Sequence, residues 1–194
     1  MKSLDNIINE FSKLPGIGRK SAARIAFYIL DMENEELERF SSILKEAKQK
    51  IKKCKICGNL TEEDICEICS DDERDKKIIC IVKDPRDIIA FEKSKTFNGL
   101  YHVLGGIIDP LNGVTVDDLD IGKLENRLTS DIKEVILALD PSLEGETTSL
   151  YLSRIIKEKN IKVSRIASGI PMGGNIEFSD IATLSRSLEG RKEI

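Results

Sequence analysis

The stretch Cys54-Lys55-Ile56-Cys57-Gly58 through Cys66-Glu67-Ile68-Cys69 decides how the chain is read, because the residues before it and after it follow different sequence periods. Two Cys-x-x-Cys pairs stand eight residues apart, and Gly58 can supply a tight turn behind the first pair. That spacing lets four thiolates converge on one tetrahedral Zn²⁺. The rival readings are two disulfides, which the reducing poise inside cells opposes, and a redox dithiol, which wants a single pair at a strand-to-helix junction. With Cys54, Cys57, Cys66 and Cys69 all coordinating, no open position is left for water or substrate, so a structural zinc is expected.

The chain has 194 residues, 40% of them apolar but only 5% aromatic, with no Trp, which suits modest cores that a metal staple would help. No apolar run reaches the length of a membrane span, and Met1 to Glu10 lacks the basic-then-apolar pattern of a signal peptide, so a cytoplasmic location is expected. The net charge of -4 is unevenly spread: residues 1–53 carry 11 Lys and Arg against 8 Asp and Glu, and the remainder carries 19 against 26. An anionic partner such as nucleic acid is therefore expected at the amino-terminal quarter.

Within that quarter, Ser3 is read as a helix cap, and Leu4, Ile7, Ile8, Phe11 and Leu14 follow at helical spacing. Pro15-Gly16-Ile17-Gly18 interrupts, and a second helix is predicted over residues 19–30 with Ala22, Ile25, Ala26, Ile29 and Leu30 as its buried stripe. At roughly 100° per residue, Lys20 and Arg24 fall opposite that stripe, one turn apart. A third helix is predicted after Asn34, with Leu37, Phe40, Leu44, Ala47 and Ile51 as an apolar seam; most such seams are intramolecular core, and a minority are oligomer contacts. Gly-Arg-Lys-Ser lacks the spacing of a nucleotide-binding phosphate loop and follows a helix, which excludes that reading.

After a charged connector the period changes. Ile78-Ile79-Cys80-Ile81-Val82 reads as a buried parallel strand, and Pro85 opens a helix to about Lys93. Further strands are predicted at 101–104, 134–139 and 162–166, and helices at 121–128 and 146–159. This alternation implies an α/β unit with a mainly parallel sheet covered on both faces, and ligands beyond the carboxyl ends of its strands. Cys80 is read as a core residue. His102, the single histidine, is read as a packed or edge residue with no catalytic triad around it.

Two strings carry resemblances. Leu14-Pro15-Gly16-Ile17-Gly18-Arg19-Lys20-Ser21 through Ala26 resembles the helix-hairpin-helix motif of proteins that bind DNA without reading its sequence. The chemistry suits such a contact: Gly16 and Gly18 admit a phosphate near the backbone, amides at the helix start donate to it, and Lys20 and Arg24, assisted by Arg19, neutralise it. The alternative is a plain helical hairpin with solvated cations. Leu139-Asp140-Pro141-Ser142-Leu143-Glu144-Gly145-Glu146 resembles the second signature of Toprim domains, which hold Mg²⁺ with two aspartates and glutamates. Here Ser142 stands in the second aspartate's place and Lys83 where a first-strand glutamate aligns, leaving Asp140 and Glu144 as candidates. An ammonium group there competes with a metal, so Mg²⁺ is not expected. The bland alternative keeps Asp140 and Glu146 as cap and dipole partners.

The module order, together with Gly99 to Gly106, Ile108 to Gly113, Ile170 to Gly174 and Thr183 to Arg191, is similar to that of the bacterial recombination mediator family RecR. The resemblance implies a helix-hairpin-helix unit (1–53), a four-cysteine zinc module with linker (54–77), a Toprim unit (78–172) and a carboxyl-terminal oligomer contact (173–194). It also implies a non-enzymatic ring or clamp, a dimer or tetramer, acting with RecO and RecF to load RecA on gapped single-stranded DNA. Lys83, Asp140, Glu144 and Glu146 would then form a degenerate metal site or a partner contact. The competing readings are a Mg²⁺-dependent nuclease or topoisomerase-like enzyme using Asp140 and Glu144, and a zinc-centred protein-interaction module.

Overall fold

The computed structural model describes residues 1–191, so the last three residues of the expected 173–194 segment lie outside the described residues. The chain divides into two compact units, Met1–Ile51 and a larger one beginning at Lys52.

The first unit holds α1 (Lys2–Ser12), α2 (Arg19–Asp31) and α3 (Asn34–Lys50). Ser3 lies inside α1 instead of capping it; the helix starts at Lys2, two residues earlier than a Ser3 cap allows, and the amino terminus pairs with Asp5 at 3.4 Å, one turn on. Ile8 of α1 is buried with Ala22 and Ala26 of α2, whose small side chains one turn apart let the helices approach, and Leu4, Ile7, Phe11, Ile17 and Ala23 pack around them. Of the stripe expected on α2, Leu30 is exposed. Helix α3 buries none of its residues, and Phe40, Leu44 and Ile51 are exposed. Its seam is thus not the intramolecular core that such seams most often form.

The second unit opens with a short antiparallel pair, β1 (Lys52–Lys53) and β2 (Leu60–Thr61), and a single-turn helix α4 (Glu67–Ser70). It continues through β3 (Asp75–Val82), α5 (Pro85–Ser94), β4 (Gly99–Val103), α6 (Ile121–Arg127), β5 (Glu134–Ala138), α7 (Leu143–Lys157), β6 (Lys162–Arg165) and α8 (Ile181–Glu189). The strands run parallel in the order β4-β3-β5-β6. Alternation sends Ile79, Ile81, Val135 and Leu137 to one face, beneath Leu124 of α6 and Leu152 and Ile156 of α7. Cys80, Val82, Tyr101, Val103 and Ala138 point to the other, beneath Ile88 of α5 and Ile68 of α4. Both faces are covered, which is why these strands read as continuous apolar runs. Helix α5 starts where Pro85 predicts, closed by a capping box between Asp84 and Asp87. The β1-β2 hairpin, α4 and α8 are additions to the elements read from sequence. Among the described residues, no helix is long and apolar enough to cross a membrane.

Candidate metal centre and nucleic-acid interface

Cys54 and Cys57 flank the turn between β1 and β2, and Cys66 and Cys69 flank the start of α4. Their four Sγ atoms lie within 4.8 Å of one another, Cys57 and Cys66 at 3.5 Å, and none is in a disulfide. A tetrahedron of Zn–S bonds near 2.3 Å needs sulfurs about 3.8 Å apart, so the cage has the right size. Backbone amides brace it: Asn59 N–H points to Cys57 Sγ (3.4 Å) and Cys66 N–H to Cys54 Sγ (3.3 Å). Gly58 adopts the positive φ of +78° that the turn requires. The thiols titrate against each other. Hydrogen bonds from Cys57 and Cys69 hold the Cys66 thiol far below its ordinary range, while the interaction with Cys66 pushes Cys57 up to about 12, and Cys57 and Cys66 push Cys69 up as well. A divalent ion deprotonates thiols that ligate it.

At the hairpin of the first unit, Ile17 N–H donates to the Leu14 carbonyl (3.1 Å) and Gly16 sits at φ +78°. Gly18 is the N-cap of α2. It has no side-chain cap bond, and the first turn of α2 holds no acid, so the leading amides face outward unpaired by side chains. A Cβ on Gly16 or Gly18 would meet nothing within 4 Å. Gly18, at φ −76°, has no internal reason to lack a side chain. Arg19, Lys20 and Arg24 are exposed. Among the described residues, the ion pairs of this unit are Met1 with Asp5, Lys13 with Glu10 and Lys50 with Glu46, which leaves all three cations unpaired. Sequence reading overlooked Tyr28. It is 64% exposed, one turn beyond Arg24, and lines a shallow groove of about 420 Å³ with Ser21, Arg24 and Ile25; its signal was the i, i+4 spacing from Arg24.

At the carboxyl ends of the strands, Lys83 Nζ donates to Asp140 Oδ2 at 2.8 Å, bridging the ends of β3 and β5. That hydrogen bond, with the carboxylate charge behind it, raises the Lys83 pKa against a smaller cost of burial. Ser142 caps α7, accepting from Gly145 N–H at 3.1 Å. Glu144 lies in the first turn of α7. Glu146 is held elsewhere: it pairs with Arg165 at the end of β6 and with Arg186 of α8 (3.0 Å), and these contacts, Arg165 first, keep its carboxyl below the ordinary range. The structure therefore joins Lys83 to Asp140 and ties Glu146 to two arginines that no local motif flagged. Among the described residues, the four cysteines are the group of three or more ligand-type side chains placed to hold an ion. His102 and Cys80 are buried, as read; burial pushes the Cys80 thiol up to about 12.

A helical hairpin with free cations, a four-thiolate cage and a parallel sheet whose acidic end carries a lysine define a class: multi-module α/β proteins stapled by a metal site. Family models place the chain within that class. The RecR helix-hairpin-helix matches residues 4–48, the RecR four-cysteine zinc finger domain 51–71, a Toprim domain 77–167 and the RecR C-terminal region 169–192. The chain belongs to the RecR family. With the family comes a role in DNA repair and recombination, and the four-cysteine cage is its structural zinc site.

Proposed function

We propose that the chain is a non-enzymatic recombination mediator that grips DNA through the α1-α2 hairpin and serves as an oligomeric scaffold, with RecO and RecF, for loading RecA onto gapped single-stranded DNA. The observation that carries the reading is the hairpin itself: uncapped amides at Gly18, open space over Gly16 and Gly18, and unpaired, exposed Arg19, Lys20 and Arg24 all belong to this turn and the first two turns of α2. A phosphate there meets backbone donors and cations but no base-edge reader, so binding is sequence-blind and salt-sensitive. Tyr28, one turn away, offers a face on which an unstacked base can rest.

Two further features support a scaffold. The uncovered seam of α3 and the exposed Met172, Phe178, Ile181 and Leu188 around α8 are apolar surfaces of the kind that closed oligomers cover. Lys83 occupies the carboxylate that a metal-dependent phosphodiester enzyme would need for its ion. With Glu146 already paired, Glu144 is the acid at this end offered to a protein partner.

The test combines native mass, binding to gapped DNA and capture of RecO with and without that DNA. An oligomer that binds DNA and retains RecO supports the proposal. Cleavage or relaxation of supercoiled DNA with Mg²⁺ or Mn²⁺, lost on Asp140→Asn, would overturn it in favour of an enzyme, and absence of DNA affinity would favour a protein-interaction module.

A further inference from the structure

Strand β4 is the outer strand of the sheet, so its free edge presents backbone groups that need partners. The Leu104 amide turns inward to the Val82 carbonyl (2.9 Å). The Tyr101 carbonyl and Val103 amide face outward, and two different parts of the chain meet them. Val103 N–H donates to the carbonyl of Cys57 at 2.8 Å, which seats the first cysteine knuckle on the edge. The contact is close: a Cβ on Gly58 would lie 3.2 Å from Val103 Cβ. On the adjacent rung, Arg127, from the last turn of α6, donates through Nη1 to the Tyr101 carbonyl at 2.6 Å. The guanidinium and the Cys57 knuckle thus dock on the same free edge of β4, one rung apart.

The same Nη1 donates to His102 Nδ1 at 3.2 Å. An accepting Nδ1 places the ring proton on Nε2, which donates to the Asp120 carbonyl at 3.0 Å, where α6 begins. Arg127 Nη2 has no partner. Among the described residues it is the one buried side-chain polar atom without a hydrogen bond. A half-buried cation whose one idle donor is shut away from water favours a compensating charge nearby. Among the described residues no carboxylate supplies it, since the ion pairs of this unit do not include Arg127. Burial lowers its pKa, and the opposing influences come from Cys69, Cys57, Cys54 and Cys66.

We infer that Arg127 is the outer-sphere counter-charge of the four-thiolate centre, and that through His102 and Asp120 it ties the zinc module to the start of α6. Four thiolates around one Zn²⁺ carry a net charge of −2, and a guanidinium beside them offsets part of it. Arg127 is a positioning residue: it orients the knuckle from β4 and tunes how tightly the thiolates hold the ion.

The experiment uses the full-length zinc-loaded protein and its Arg127→Gln and Arg127→Lys variants, with three readouts. These are zinc affinity by competition with a chromophoric chelator, thermal midpoint with and without metal, and the thiolate-to-metal charge-transfer band after Co²⁺ substitution. Arg127→Gln is expected to weaken zinc binding about 10- to 100-fold, as loss of outer-shell partners does. It should lower the thermal midpoint of the metal-loaded form more than that of the metal-free form, and move the cobalt band to lower energy. Arg127→Lys, which keeps the charge, is expected to recover most of the affinity and the band position. Equal destabilisation with and without metal, with chelator competition and band unchanged, would reduce Arg127 to a packing role and overturn the inference. If Arg127→Gln does not fold, Arg127→Lys decides alone: affinity close to the parent's supports the counter-charge, and a loss of tenfold or more overturns it.

Discussion

Replacing Lys20 and Arg24 together by alanine tests the phosphate grip most directly. Both side chains are exposed and unpaired, so the double substitution removes charge without opening a cavity or stranding a partner. Stability is expected to hold within about 0.5 kcal/mol per site. The effect on binding follows from counterion release. Each phosphate neutralised contributes about 0.9 to the log–log salt slope on duplex DNA and about 0.7 on a single strand. Two lost contacts per chain shallow the duplex slope by about 1.8, so between 50 and 200 mM salt the parent loses roughly twelvefold more affinity than the variant. An oligomer engaging several hairpins multiplies the difference. Fluorescence anisotropy with labelled duplex and single-stranded DNA over a salt series reads the slope, and calorimetry checks the fold. A weaker affinity with the parent's slope would refute phosphate contact by these residues, because the loss would then come from somewhere other than charge neutralisation; unchanged affinity would remove the hairpin from the interface altogether.

Stripping zinc with a chelator should release the knuckle from β4, and hydrogen exchange at the Val103 amide, whose acceptor is the Cys57 carbonyl, should accelerate well before the β3 amides do. His102 should give an acid limb. Burial first, then the Arg127 charge, lowers its pKa from 6.5 to about 4. The unfolded chain therefore binds more protons in between, and stability is fully present above about pH 6.5 and lost as pH falls toward 4, by up to about 3 kcal/mol. Urea titrations across that window should show a slope that His102→Gln flattens; a parallel slope in the variant would rule the ring out as its source. Lys83→Glu places a second carboxylate beside Asp140. With millimolar affinity of the kind that weak oxygen sites show, about 10 mM Mg²⁺ should then stabilise the variant by about 1.4 kcal/mol, measured as a thermal shift that the parent lacks. A parent that responds equally would mean that Lys83 does not block the ion.

How much of this was readable beforehand depended on how local the cause was. The four cysteines lie within residues 54–69, and metal-ligand geometry dictates their spacing, so the cage is legible as a string. The strands β3 and β5 were legible because burial on both faces forces unbroken apolar runs such as Ile78 to Val82. Helix α8 was not, since Ile181 and Leu188 are exposed and answer to no core within the chain. Which of the two roles the α3 seam plays was not legible for a related reason: periodicity shows which residues share a face and says nothing about what covers it. Arg127 and the arginines around Glu146 were invisible because β4 and the loops beyond β5 and β6 bring together residues from distant parts of the chain.

The register explains why Lys83 and Asp140 meet at the end of the sheet. Val82 pairs with Ala138, so the residues just beyond β3 and β5 must emerge side by side whatever their chemistry. Two acids there would repel until a cation arrived from solution, whereas an acid and a lysine satisfy each other from within the chain, as Lys83 and Asp140 do at 2.8 Å. An internal ammonium holds the strand ends together without polarising a water or a phosphate. Cutting DNA requires a polarising ion at the scissile phosphate; holding DNA requires only charge and backbone donors. In the proposed function those donors are the ones on the α1-α2 hairpin, so DNA binding is expected to be unaffected by substitutions at Lys83 and Asp140.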